Sequence, residues 1–178
     1  AIIGVYVDDL ILASSSFSFI TGLKRALDDQ FGIKDMGAIS WILGASVRRD
    51  RAAGVTTLSQ QDYINDLILR FDLMDQPPRS LPLPDTFKLF PESSTPSPIC
   101  SEPDRAIYKS LLGSLIYASI LTRPDIATAV SQLGRVQQSP TIAHLDALRG
   151  VLLYLKGTAS LGIVYKRDSS SSLSLVGY

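Results

Sequence analysis

The chain has 178 residues, with 17 Lys plus Arg, 17 Asp plus Glu, 46% apolar residues and 19% charged residues, and these proportions exclude disorder for most of it. Its formal net charge of zero excludes a global field that recruits polyanions, so a nucleic-acid partner would need a local cluster of cations. The single cysteine, Cys100, excludes a disulfide framework and a multi-cysteine zinc site.

The first predicted elements are a β-hairpin and a helix. Residues 1–7 and 10–13 are apolar and rich in β-branched residues, and they predict two buried strands around a tight turn at Asp8 and Asp9. Apolar residues then recur at helical spacing from Phe17 to Phe31, which predicts an amphipathic helix that starts near Ser16 or Ser18 and ends by Gly32. Residues 1–13 are too short and too charged to span a bilayer, so no membrane partner is expected.

A second hairpin and a short helix follow. Residues 41–49 and 55–58 read as strands around a turn at 52–54, and a helix is predicted to open near Ser59. Residues 75–104 contain eight of the ten prolines and predict a linker or a draped loop. The sequence up to this point is typical of a mixed α+β fold.

The second half is predicted to be mostly helical. One helix spans the apolar residues after 105 and breaks at residues 122–124, a second starts at Pro124, and a third starts at Pro140 and is capped near Lys156 and Gly157. Residues 163–165 and 173–176 predict a strand pair around a Ser-rich turn at 169–172. Both ends of the chain read as strands, so we expect it to be an internal piece of a longer polypeptide.

Asp8 and Asp9 are the most informative residues for chemistry. Apolar strands on both sides predict burial, and buried carboxylates need partners, of which a divalent metal is one. The alternative is that aspartate is simply a good turn residue.

Longer motifs decide between these interpretations. After Tyr6-Val7-Asp8-Asp9 they are residues 31–37 (FGIKDMG), 42–44 (ILG), 58–60 (LSQ), 63–64 (YI), 108–117 (YKSLLGSLIY), 122–126 (TRPDI) and 154–158 (YLKGT). In this order they resemble the reverse transcriptase of copia-type LTR retrotransposons, and the resemblance runs along the whole chain. It implies a partial polymerase palm in residues 1–74, a Pro/Ser-rich linker in 75–104, a helical thumb/connection-like region in 105–160, and a strand pair in 161–178 that leads toward an RNase H domain.

The resemblance also implies an activity and a cofactor. The activity is RNA-directed DNA synthesis in which two magnesium ions, with manganese as a substitute, activate the primer hydroxyl and stabilise the leaving pyrophosphate. Asp8 would be the principal metal ligand and Asp9 its neighbour, while Tyr6 and Val7 would line the floor beneath the primer end. The implied partners are an RNA or DNA template with primer, deoxynucleoside triphosphates and the remainder of the pol polyprotein.

The resemblance also implies roles for other residues, each with a structural alternative. Lys34 would approach the phosphates of the incoming nucleotide; the alternative is a solvated surface lysine. Leu43 and Gly44 lie at the primer-grip turn of the family, where the alternative for the side chains of Trp41 and Leu43 is hairpin core. The cluster that contains Arg48 and Arg49 would meet phosphates, or is merely solvated.

The family palm needs a further aspartate from an earlier strand, which we expect before Ala1. The isolated chain is therefore expected to have no polymerase activity. A second hypothesis is a decayed or domesticated copy that binds nucleic acid without catalysis. It is favoured by two differences from the family: Leu145 stands where tryptophan is common, and Leu153 stands where arginine is common. A third is an unrelated α+β domain with a turn-forming Asp pair.

Overall fold

The computed structural model describes residues 1–90 and 97–167, and these form two antiparallel sheets and five α-helices. The mixed α and β composition predicted from the sequence is confirmed. The chain divides into two compact units, Ala1–Ser40 and Trp41–Tyr178. None of the helices in the described ranges is long and apolar enough to cross a membrane.

The first unit consists of a β-hairpin and one helix: β1 (Ile2–Tyr6), β2 (Asp9–Ala13) and α1 (Phe17–Phe31). The predicted hairpin is confirmed, with Tyr6 opposite Asp9 at its closed end. Both predicted ends of α1 are also confirmed. The Ser16 hydroxyl accepts a hydrogen bond from the Phe19 N–H at 3.3 Å, and Gly32, at φ 64°, caps the C-terminus by donating its N–H to the Asp28 carbonyl.

The predicted burial of this hairpin is wrong for the described chain. Ile2 is 73% exposed, Val5 is 71% exposed, and α1 contains no buried residue. The physical reason is that a two-stranded ribbon and a single helix offer too few neighbours to enclose either face of the ribbon.

The sheet of the second unit has the order β3 (Trp41–Ile42), β4 (Ala45–Asp50), β5 (Val55–Ser59) and β6 (Ile163–Lys166), with every pair antiparallel. The prediction of one strand over residues 41–49 is wrong, because Leu43 and Gly44 both adopt positive φ and turn the chain between β3 and β4. Among the strands that the structure describes, β6 is the last in the sheet, beside β5. The partner predicted for it, residues 173–176, lies outside the described residues.

The helices of the second unit enclose the core. They are α2 (Gln61–Arg70), α3 (Glu102–Leu121), α4 (Ala127–Gly134) and α5 (Ile142–Gly157), with a 3₁₀ turn at Pro124–Ile126 before α4. Leu111 and Leu115 of α3 and Leu148 and Leu152 of α5 are fully buried. The predicted helices are confirmed, but α3 begins at Glu102, because Pro103 occupies its first turn, where proline has no hydrogen bond to lose.

Residues 75–90 drape over the helices. The Arg79 N–H donates to the Leu153 carbonyl at 3.2 Å, and Phe87 packs against the core. The Lys156 ammonium donates to the carbonyls of Leu73 and Gln76 at 3.1 and 2.8 Å. Of the two predicted alternatives, a linker or a draped loop, these contacts favour the loop for this stretch.

His144, the only histidine, has a structural place that sequence analysis did not assign. Its Nδ1 accepts the Thr141 N–H at 3.0 Å, which leaves Nε2 to donate to the Leu89 carbonyl at 2.8 Å. The ring therefore caps the start of α5 and fastens the draped segment to it.

Candidate active site

The Asp pair lies at the tip of the β1–β2 hairpin. Val7 and Asp8 form a two-residue turn between the paired residues Tyr6 and Asp9. Val7 adopts φ 50°, a conformation that is rare for a β-branched residue and costs about 1–3 kcal/mol. The backbone is therefore strained at Val7, the residue that precedes the two carboxylates.

Both carboxylates are exposed at this tip. Neither Asp8 nor Asp9 has a hydrogen bond or ion pair to another side chain within residues 1–90 and 97–167. Their oxygens are thus available to a cation. Carboxylate oxygen suits magnesium, which proteins commonly hold with one or two carboxylates together with water and substrate phosphates, so the donor set fits the ion. In the described ranges, no three His, Cys, Asp or Glu side chains gather into a metal-binding group.

Lys34 is exposed, and the segment around it is fastened to helix α1 through its neighbour Asp35. The Asp35 carboxylate accepts hydrogen bonds from the Lys24 ammonium at 2.7 Å and from the Gly37 N–H at 2.9 Å. The hydrogen bond from Lys24, aided by that from Gly37, holds the pKa of Asp35 below its usual value. The Lys34 side chain is therefore presented from a tethered loop.

The turn at Leu43 and Gly44 is held by a contact that sequence analysis missed. The Tyr117 hydroxyl of α3 donates a hydrogen bond to the Leu43 carbonyl, and the Tyr117 ring meets the Tyr63 ring edge-on at 5.2 Å. Leu43 is half-buried, whereas Trp41 is 51% exposed. The interpretation of Trp41 as hairpin core is therefore wrong, because its strand has only two residues and lies at the edge of the sheet.

Gly44 provides a test of this turn. A Cβ at Gly44 would lie 3.3 Å from the Tyr117 hydroxyl and would also be held at φ 69°. We expect Gly44→Ala to lower the free energy of unfolding by about 1–2 kcal/mol, as measured by urea denaturation. Gly113→Ala is the matched control, because nothing lies near its Cβ position within helix α3, and it should stabilise the chain by up to about 1 kcal/mol. Equal effects of the two changes would contradict the proposed constraint at the turn.

Arg48 and Arg49 are adjacent and exposed on strand β4. Arg48 is opposite Thr57 of β5, and Arg49 is opposite Thr56. Successive side chains of a strand point to opposite faces, so the two guanidinium groups lie on different sides of the sheet. The sequence-predicted cluster is therefore divided by the sheet.

The motif at residues 122–126 forms an ionic network around the buried Arg123 side chain rather than a second active site. Arg123 has a side chain only 2% exposed and makes a two-pronged contact with the Asp125 carboxylate at 3.0 and 2.6 Å. It also donates to the Thr158 carbonyl at 2.9 Å, and the Tyr154 hydroxyl donates to Asp125 at 2.8 Å. Each polar group in the network has a hydrogen-bond partner. The network joins helix α5 to the turn before α4.

Comparison with known proteins agrees with the motifs. Residues 1–85 match the family model of reverse transcriptase (RNA-dependent DNA polymerase). Over 156 residues the chain is 36% identical to the retrovirus-related Pol polyprotein from transposon TNT 1-94 of Nicotiana tabacum, which covers 86% of the chain and 12% of that polyprotein. No solved structure matches the chain.

Two shorter relatives are similar over nearly the whole chain. An uncharacterised mitochondrial protein of Arabidopsis thaliana is 34% identical over 93% of the chain and 65% of its own length. A putative transposon Ty5-1 protein of Saccharomyces cerevisiae is 34% identical over 97% of the chain and 54% of its own length. Residues 1–85 thus belong to the reverse transcriptase family, and the predicted relation to copia-type retrotransposon polyproteins is confirmed.

Proposed function

We propose that this chain supplies the catalytic turn of an RNA-directed DNA polymerase within a longer retrotransposon polyprotein. The observation that carries the proposal is the pair of exposed carboxylates, Asp8 and Asp9, without side-chain partners in the described residues, at the tip of a hairpin that lies in the family-matched region. Acidic oxygens at such a tip are placed to hold magnesium beside a bound nucleic acid.

Asp8 and Asp9 would hold the metal in this function. Bound magnesium supplies activation of the primer hydroxyl and stabilisation of the charge on the leaving pyrophosphate. The chain's own part is positional: the strained backbone at Val7 fixes the direction of the turn, and Tyr6 and Val7, both exposed, form the floor beneath the primer end.

Other exposed groups would contact the remaining substrates. Lys34 is proposed to neutralise phosphates of the incoming deoxynucleoside triphosphate, and the backbone of Leu43 and Gly44 to contact the primer. Arg48 and Arg49 are proposed to contact phosphates of the template and primer. The rest of the polyprotein would complete the site, so we expect the chain alone to incorporate no nucleotide on a primed RNA template.

Manganese binding tests the role of the carboxylates on the chain itself. We expect Mn²⁺ to broaden the amide NMR signals of Val7, Asp8 and Asp9 selectively, and the double change Asp8→Asn with Asp9→Asn to abolish this broadening. The matched control changes the other adjacent Asp pair, Asp28→Asn with Asp29→Asn, which lies on helix α1. The proposal fails if the hairpin signals are unaffected, or if both double variants lose broadening at the hairpin equally.

A further inference from the structure

The turn between β3 and β4 has a conformation that its own residues do not fully favour. Ile42 pairs with Ala45, so Leu43 and Gly44 form a two-residue turn. Both central residues adopt positive φ, 48° and 69°, as in a type I′ turn. Glycine accepts this conformation readily, whereas the Cβ of leucine disfavours it. The turn therefore depends on a contact from outside to hold its conformation.

Tyr117 of helix α3 provides that contact. Its hydroxyl donates a hydrogen bond to the Leu43 carbonyl, which belongs to the central peptide of the turn. This peptide is trans, so its C=O and its N–H point in opposite directions. Because the Leu43 carbonyl is directed toward the Tyr117 hydroxyl, the edge of the peptide that carries the Gly44 N–H is directed away from it.

The Tyr117 side chain is itself held in place. Its ring meets the Tyr63 ring of α2 edge-on, with the ring centres 5.2 Å apart and the planes at 79°, which is a favoured arrangement of aromatic pairs. The Tyr63 hydroxyl donates to the Ser114 carbonyl of α3 at 3.2 Å. Gly44 fits closely against this pair, since a Cβ there would lie 3.3 Å from the Tyr117 hydroxyl. Two helices thus fix the group that holds the turn.

We propose that Tyr117 is a positioning residue for primer binding, because its hydroxyl sets which edge of the turn backbone the primer meets. The inference rests on the proposed function, in which the backbone of Leu43 and Gly44 contacts the primer. Without the hydroxyl, the central peptide would populate more than one orientation. The apparent affinity for primer would then fall in proportion to the fraction of molecules with the competent turn.

Primer binding and catalysis, measured separately on the parent polyprotein, test the proposal. We expect Tyr117→Phe to raise the Kd of a fluorescein-labelled primer–template by about twofold to tenfold in fluorescence anisotropy, the effect of losing one hydrogen bond. The single-turnover rate at saturating primer–template should stay within about twofold of the original, because bound primer selects the competent turn. A purely structural defect would instead lower the amplitude of incorporation and leave the Kd of the folded molecules unchanged.

Tyr63→Phe is the matched control. It removes the hydroxyl from the other ring of the pair, but that hydroxyl bonds to the Ser114 carbonyl and not to the turn. Its Kd for primer–template should equal that of the original protein. Circular dichroism melts establish that both variants are folded. The proposal is overturned if the two changes raise the Kd equally, or if Tyr117→Phe leaves the Kd unchanged.

The carbonyl carbon NMR signal of Leu43 gives a second readout, on the chain itself and without catalysis. We expect Tyr117→Phe to move this signal to lower frequency, because its oxygen loses an accepted hydrogen bond, and Tyr63→Phe to leave it in place. An unmoved signal in Tyr117→Phe overturns the inference even if the parent is an active polymerase. Normal incorporation by Asp8→Asn would contradict the proposed function instead, and the Kd of Tyr117→Phe would still decide the inference.

Discussion

Asp8→Asn, introduced into a parent polyprotein that contains this segment, is expected to lower nucleotide incorporation on a primed RNA template by about 10³-fold or more. Asparagine keeps the size of the side chain and one oxygen but removes the negative charge that holds the metal. Metal ions contribute several kcal/mol to charge stabilisation in the transition state, and about 1.4 kcal/mol corresponds to a tenfold change in rate. Primer extension under single-turnover conditions measures the effect.

The control for this experiment is Asp28→Asn, which removes the same charge from the exposed surface of helix α1. It should leave incorporation within about twofold of the original rate, because a solvated surface charge is screened from the reacting atoms. Incorporation by Asp8→Asn at nearly the original rate would remove Asp8 from the metal site.

Asp125→Ala is expected to have the largest effect on stability, lowering the free energy of unfolding by about 3 kcal/mol or more. The change leaves the Arg123 guanidinium, whose side chain is 2% exposed, without its carboxylate partner inside the second unit. It also leaves the Tyr154 hydroxyl without its acceptor. Urea denaturation monitored by circular dichroism measures the difference.

Asp146→Ala is the matched control for this network. Asp146 pairs with Arg149 at 3.3 Å, but both side chains are well exposed, so the loss should be at most about 0.5–1 kcal/mol. If the two variants are equally stable, the network around Arg123 contributes no more than an ordinary surface pair.

The pH dependence of stability gives a further check on Asp125. Burial raises the pKa of its carboxyl, but hydrogen bonds from Arg123 and Tyr154 outweigh burial and lower the pKa below the ordinary value of 3.8. Because the pKa is lower in the folded than in the unfolded chain, this contribution is fully present above the ordinary pKa and is lost as the pH falls through the folded value. The stability difference between the original chain and Asp125→Asn should therefore shrink in acid below about pH 4.

Local patterns were sufficient to predict most of the helices. The ends of α1 follow from Ser16 and Gly32, whose side-chain and backbone preferences act within one turn of the helix. The family resemblance implied a turn at Leu43 and Gly44, but the positive φ of Leu43 could not be found from local patterns, because leucine carries no turn preference. Its conformation is held by Tyr117, which lies 74 residues away in the chain.

The functional residues also differ in whether a local sequence pattern or a contact between distant residues reveals them. Asp8 and Asp9 are recognisable because two neighbouring acids interrupt an apolar run, which is a local signal. The pairing of β6 with β5 joins residues that are distant in the chain, so no short window of sequence predicts it. The exposure of the first hairpin was also unpredictable, because apolar composition favours burial without specifying which element supplies the cover.

Strand β6 has a consequence for how the chain folds. The pairing of Ile163 with Leu58 closes a loop of about a hundred residues, and the entropy of that closure is lost before the contact stabilises anything. During synthesis the hairpin of β4 and β5 would emerge first, and the free edge of β5 would stay unpaired until the ribosome has released β6. The interval is when nascent chains are most prone to pair with one another, and a chaperone that shields strand edges would act then.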